Sequence, residues 1–157
     1  MKTELKYINP YRILGLIFNR KNKEICSNCP RHPGIDGGCC RACQENAGHF
    51  KREEFSIMSE AIIQYGFRNV KNGPGGFFGK DKKCVLPRQL RSLNCLGYRC
   101  EKMKLTEDEH ILLKYAIAKI KIEREIHDWD MIGKKGYEKI MFESENILNK
   151  KGYTLKY

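Results

Sequence analysis

The chain has no long apolar run. Its best N-terminal candidate, "ILGLIF" (Ile13 to Phe18), is far short of the roughly 20 residues that cross a bilayer as a helix. That stretch follows Lys2, Glu4, Lys6 and Arg12, and no small-residue cleavage pattern accompanies it. No signal peptide is read, and the expectation is a cytoplasmic protein with no membrane contact. The signatures of several enzyme classes are missing too: there is no GxSxG, no Walker A motif and no GxGxxG placed after a strand. Histidine is scarce, with only His32, His49, His110 and His127, and no nucleophile–base arrangement is legible among them. His32 lies inside a cysteine-rich loop and His49 just after it, so both are candidate ligands, although a solvent-exposed turn residue is the plainer reading. His110 and His127 fall in a helical segment and read as structural. Internal repeats and low-complexity tracts are absent. With 157 residues, 41% hydrophobic and 31% charged, the chain suits one globular domain, residues 1–157, rather than a disordered segment.

What it does have is cysteine. The eight run Cys26-x2-Cys29-x9-Cys39-Cys40-x2-Cys43-x40-Cys84-x10-Cys95-x4-Cys100. In the cytoplasm glutathione and thioredoxin keep thiols reduced, which argues against four disulfides. Buried cysteine as a small hydrophobe is the ordinary reading for a lone residue. It fits poorly for five cysteines within the eighteen residues of "CSNCPRHPGIDGGCCRAC", where two adjacent thiols would have to share one core position. A two-residue gap lets two thiolates from one turn reach a single ion, and that gap occurs at Cys26/Cys29 and again at Cys40/Cys43. Thiolates select zinc, copper(I) or iron–sulfur clusters over hard cations. The prolines and glycines of this loop break regular structure and let the backbone wrap a metal. Cys84, Cys95 and Cys100 are candidate ligands of the same kind, with packing residues as the alternative.

Charge is uneven. The chain carries a formal +11, and residues 68–104 hold ten lysines and arginines against only two acids. This basic segment includes Lys80, Lys82, Lys83, Arg88, Arg91 and Arg99 alongside Phe77, Phe78 and Tyr98. Positive charge interleaved with aromatics can follow a nucleic-acid backbone and stack on its bases. It can equally neutralise a thiolate-rich site, since four thiolates on Zn²⁺ leave a net −2.

The periodicities are helical. Asn9 and Pro10 open a helix over Asn9–Lys23 as cap and first helical residue. From Glu53 to Tyr65, Phe55, Met58, Ile62 and Tyr65 share one face, with Gly66 as the stop. Thr106 with Glu109 makes a capping box for a long helix whose stripe is Ile111, Tyr115, Ala118, Ile122, Ile126 and Trp129. A last helix, about Tyr137–Asn149, turns Tyr137, Ile140, Met141, Ile147 and Leu148 inward and has Gly152 beyond its end. "NGPGGFFG" reads as a turn. The fold class expected is mainly α, a single small domain with an irregular cysteine-rich metal-binding centre. Its cysteine-cluster region spans 26–100 and its C-terminal helical region 106–150.

"CSNC…GGCCRAC" followed by "KKCVLPRQLRSLNCLGYRC" resembles the bacterial YkgJ-type cysteine-cluster family of zinc- or iron-chelating domains, the group that includes flagellin lysine N-methylases. Cys26, Cys29, Cys39 and Cys40 match its first block. Cys84 with Leu86, Cys95, Tyr98 and Cys100 match its second. The nine-residue gap before the CC pair and the extra Cys43 are departures. The resemblance covers about residues 26–100 and implies metal chelation, as a 4Fe–4S or other iron–sulfur cluster or as zinc. It also implies a modification reaction such as methyl transfer to an acceptor protein or another substrate. A structural-zinc module that contacts nucleic acid or an acidic protein through residues 68–104 is the alternative.

Overall fold

The structure is a computed structural model that describes residues 4–25, 50–67, 77, 84–97, 103–126 and 133–155. Among these the chain is mainly helical, with five α-helices and two three-residue strands. It divides into two compact units, one made of residues 1–20 with 104–157 and the other of residues 21–103. All eight cysteines fall in the second.

The first unit begins with strand β1 (Lys6–Ile8) and helix α1 (Pro10–Ile25), which continues past the unit's boundary. Asn9 caps the helix as its sequence predicts: the Arg12 N–H donates to Asn9 Oδ1 at 2.9 Å, filling one of the donors a helix start leaves open. Ile13, Leu14, Ile17 and Phe18 are buried, at the spacing that lines one helical face.

Helix α4 (Glu107–Glu123) starts from the expected capping box. Thr106 Oγ1 accepts from the Glu109 N–H at 3.2 Å, and Glu109 Oε1 accepts from the Thr106 N–H at 3.0 Å. Its interior departs from the expected stripe. The buried residues are Leu112, Tyr115, Ala116, Ala118 and Ile120, while Ile111 is half-buried and Ile122 is exposed. Small alanines let more than one side of the helix pack closely, which a single 3.6-residue stripe does not capture. The helix also stops sooner: Arg124 and Glu125 turn out of it, Glu125 at φ +56°. Ile126 is buried beyond the helix, and Trp129 and His127 lie outside the described residues.

Helix α5 (Gly133–Lys150) opens before the expected Tyr137 and buries Ser144, Ile147 and Leu148, with Tyr137, Ile140 and Met141 half-buried. Tyr137 stacks on Tyr115 with ring centroids 6.1 Å apart. Gly152, at φ +85°, takes a backbone conformation that costs glycine least and turns the chain into strand β2 (Tyr153–Leu155). The two strands pair in parallel, Lys6 with Tyr153, Tyr7 with Thr154 and Ile8 with Leu155. Sequence reading misses this pair, because three residues are too few to show a period of two. Glu145 fixes it from α5: Oε1 accepts from Thr154 Oγ1 at 2.6 Å and Oε2 from the Leu155 N–H at 2.9 Å.

In the second unit a 3₁₀ turn (Arg52–Glu54) leads into helix α2 (Phe55–Tyr65). Gly66 ends it at φ +68°, its N–H donating to the Ile62 carbonyl at 2.9 Å. The buried face differs from the expected one. Glu54 and Ala61 are buried and Ile57 and Met58 half-buried, whereas Phe55, Ile62 and Tyr65 are exposed, as is Ile63 at 83%. The core here is Ala61, Phe77, Leu86 and Leu90, with Phe50, Ile57, Met58, Phe67 and Cys84 packed on it. Phe77 is its centre, 0% exposed, and sits edge-on to Phe67 at 5.4 Å and to Phe50 at 6.4 Å, the arrangement aromatic quadrupoles favour.

Candidate metal centre

Of the eight candidate ligands, Cys26, Cys29, Cys39, Cys40, Cys43 and Cys100 lie outside the described residues, as do His32 and His49. Cys84 and Cys95 lie within them, both as free thiols. Cys84 comes just ahead of a chain that turns at Leu86–Pro87 into a second 3₁₀ turn (Arg88–Leu90). The Val85 N–H donates to the Phe77 carbonyl at 2.9 Å. That bond and its contact with the Phe77 core leave Cys84 half-buried.

Cys95 is carried by the short helix α3 (Leu93–Gly97). Two separate acceptors close the start of this helix. Ser92, itself buried, accepts from the Cys95 N–H through Oγ at 3.1 Å, the usual work of a serine N-cap. The Leu93 N–H donates to Glu54 Oε2 at 2.9 Å. The other oxygen of Glu54, Oε1, accepts from the Lys51 N–H at 3.1 Å. Glu54 is 0% exposed, and a buried carboxylate is tolerated because such donors satisfy it. Sequence reading did not find this residue. Two acids near a helix start read as ordinary complements to the helix dipole, and nothing local tells which of them is buried.

The electrostatics join the two thiols to two arginines. Burial pushes the Cys95 thiol up, Arg91 draws it down, Cys84 adds to the rise and Arg88 opposes it. The residue is exposed, so solvent screens part of the burial effect. Arg88 is held below its ordinary range by burial and by Arg91, with Cys95 acting the other way. Arg91 is fixed in place by donating from Nε to the Leu86 carbonyl at 2.9 Å. Two thiols in mutual electrostatic reach repel each other once both ionise. They become a favourable pair when a cation compensates them, whether guanidinium or metal. The donor chemistry therefore suits a thiolate-preferring ion.

Among the described residues no three His, Cys, Asp or Glu side chains gather as a donor set, so Cys84 and Cys95 do not by themselves complete a tetrahedral site. Phe77, one of the aromatics expected to stack on bases, is corrected outright. It is core, and no base can reach it. Phe78 and Tyr98 lie outside the described residues. Among the described residues no helix is long and apolar enough to cross a membrane. No family model, curated protein or solved structure matches this chain.

Proposed function

We propose that this protein binds a transition metal through its cysteines, as an iron–sulfur cluster or as zinc. Cys26, Cys29, Cys39, Cys40, Cys43, Cys84, Cys95 and Cys100 are the ligand set from which the centre draws. The observation that carries the reading is the run of five cysteines within eighteen residues, with Cys84 and Cys95 as two further free thiols in the basic segment that holds Arg88 and Arg91. Ten residues separate Cys84 from Cys95 in sequence, and the Cys95 thiol is raised by burial and by Cys84 and lowered by Arg91 and Arg88. The spacing of the first block is consistent with it, and the resemblance to the YkgJ-type family rests on those same cysteines. Eight thiols exceed the four that one tetrahedral zinc needs, which favours a cluster, or a cluster with zinc, over a single structural ion. A modification reaction on an acceptor protein or another substrate, methyl transfer being what the resemblance implies, is the finer form of the proposal.

Anaerobic purification followed by metal analysis and a visible spectrum tests it. Brown protein with iron and acid-labile sulfide supports the cluster; colourless protein with stoichiometric zinc supports zinc. Metal-free protein that keeps its fold with eight freely reactive thiols would falsify both forms.

The second reading, a zinc module that binds nucleic acid or an acidic protein, draws on the basic 68–104 segment. Against it, Phe77 is buried, and Arg91 and Arg88 draw the Cys95 thiol down against its burial, so part of that charge acts on a cysteine. Binding to nucleic acid that weakens steeply with salt would favour the module. No binding at low ionic strength would remove it.

A further inference from the structure

We propose that Glu54 is a positioning residue for the metal centre. It ties the chain leaving the first cysteine block to the helix that carries Cys95. This rests on the metal-binding reading above and names a residue outside the cysteine set.

The geometry is a two-ended clamp. Oε1 holds the Lys51 N–H at 3.1 Å, and Lys51 follows Cys43 by eight residues. Oε2 holds the Leu93 N–H at 2.9 Å, across thirty-nine residues of sequence. Leu93 is the first residue of α3, and Cys95 is the third, its own N–H held by Ser92 Oγ. The start of α3 is thus fixed from two sides, and the carboxylate is the side that comes from the other segment. Both oxygens already hold backbone donors, and no three-ligand group includes Glu54 among the described residues. Its role is therefore to aim a ligand rather than to be one. A five-residue helix cannot hold its own orientation, and groups that orient ligands contribute substantially to metal affinity.

The test uses cobalt(II) as the probe on reduced, metal-free full-length protein. Affinity is read by chelator competition, and the number of bound thiolates by the thiolate-to-cobalt charge-transfer band. Glu54→Gln keeps the shape and one acceptor but gives up the charge and the second acceptor. We expect it to stay folded by circular dichroism, to bind cobalt about 10- to 100-fold more weakly, and to lose band intensity. Because Glu54 acts through Cys95, the Glu54→Gln/Cys95→Ala double variant should bind no more weakly than Cys95→Ala alone. A purely structural role would instead give losses that add.

Should Glu54→Gln fail to fold, Glu54→Asp takes its place under the same two criteria. It keeps the charge but is one methylene too short to hold the Lys51 and Leu93 N–H groups at once. Unchanged cobalt affinity and band in the folded variant, or additive losses in the double variant, overturns the role of Glu54 while leaving the metal centre intact. Wild-type protein that binds no cobalt removes the metal reading itself, and this role with it.

Discussion

In the unit formed by the chain ends, Glu145 binds a hydroxyl and an N–H of Thr154 and Leu155, nine and ten residues away. In the unit of residues 21–103, Glu54 binds two N–H groups, one three residues away and the other thirty-nine. The same chemistry does different work. The first acid finishes a local turn from helix to strand. The second closes a long loop whose ordering entropy a few hydrogen bonds and a small core must offset. The first unit has helices of 17 and 18 residues and most of the 16-residue α1. In the second, one described cluster is four buried residues with five partly buried ones around it, and Leu93, Leu96 and Met103 are buried besides. A unit built that way gains most from a metal, and it is the one that holds every cysteine.

The largest expected effect separates the units directly. Structural zinc in small modules supplies about 10–16 kcal/mol of folding free energy. Stripping metal with a chelator should therefore expose the amides of α2 and α3 to rapid hydrogen exchange while those of α4 and α5 stay protected. Cys40→Ala, Cys95→Ala and Cys100→Ala should each lower metal content and melt the second unit earlier. Equal loss of protection in both units would make them one cooperative body. Full metal content and unchanged melting in Cys95→Ala and Cys100→Ala would confine the site to residues 26–43.

Phe77→Ala comes next. Removing a fully buried phenylalanine costs about 3–5 kcal/mol, and Phe77 centres both edge-on ring contacts of its unit. Urea denaturation should show that loss in the second unit alone. A change near zero would mean that the Phe50–Phe67–Phe77 cluster does not hold this unit together.

A smaller effect is expected for Glu145→Ala in the first unit. Hydrogen bonds to a charged group contribute about 1.5–3 kcal/mol, and Glu145 is half-buried. The loss should fall within that range and appear as faster exchange of the Leu155 amide, with metal content unchanged. A fall in metal content would show that the units are coupled.

What was legible in the sequence cuts across that division. The Asn9 and Thr106 caps and the Gly66 stop are written in single residues with local chemistry, and each is found where expected. Helical faces were less legible. On α2 the apolar residues Phe55, Ile62 and Ile63 stay exposed while Glu54 goes inside, because a long-range donor, the Leu93 N–H, decides which side faces in. The β1–β2 pair joins positions at opposite ends of the chain, and no local pattern encodes that. For the candidate site, residue type and spacing suggested Cys84 and Cys95, and the basic segment between them offered Arg88 and Arg91 as charge partners, but the clamp at Glu54 depends on how separate segments meet. The other six cysteines lie outside the described residues.

The smallest predicted effects come from two helix caps that look alike. Thr106 Oγ1 accepts from the N–H three residues on, and so does Ser92 Oγ. Removing either hydroxyl should cost about 0.5–2 kcal/mol. The surroundings differ. Thr106 is exposed at the head of a seventeen-residue helix, where water can replace the lost acceptor, so Thr106→Ala should sit at the low end of that range. Ser92 is buried at the head of a five-residue helix, and its alanine variant leaves the Cys95 N–H without its acceptor where water enters less easily. Ser92→Ala should sit at the high end. The sharper distinction is metal: Thr106→Ala should leave cobalt(II) affinity unchanged, whereas Ser92→Ala should weaken it, because the donor it releases belongs to Cys95, a proposed ligand. Chemical denaturation and cobalt competition on the two variants, measured side by side, check both parts. Equal costs together with equal cobalt affinities would show that α3 is an ordinary short helix and that Cys95 packs rather than binds.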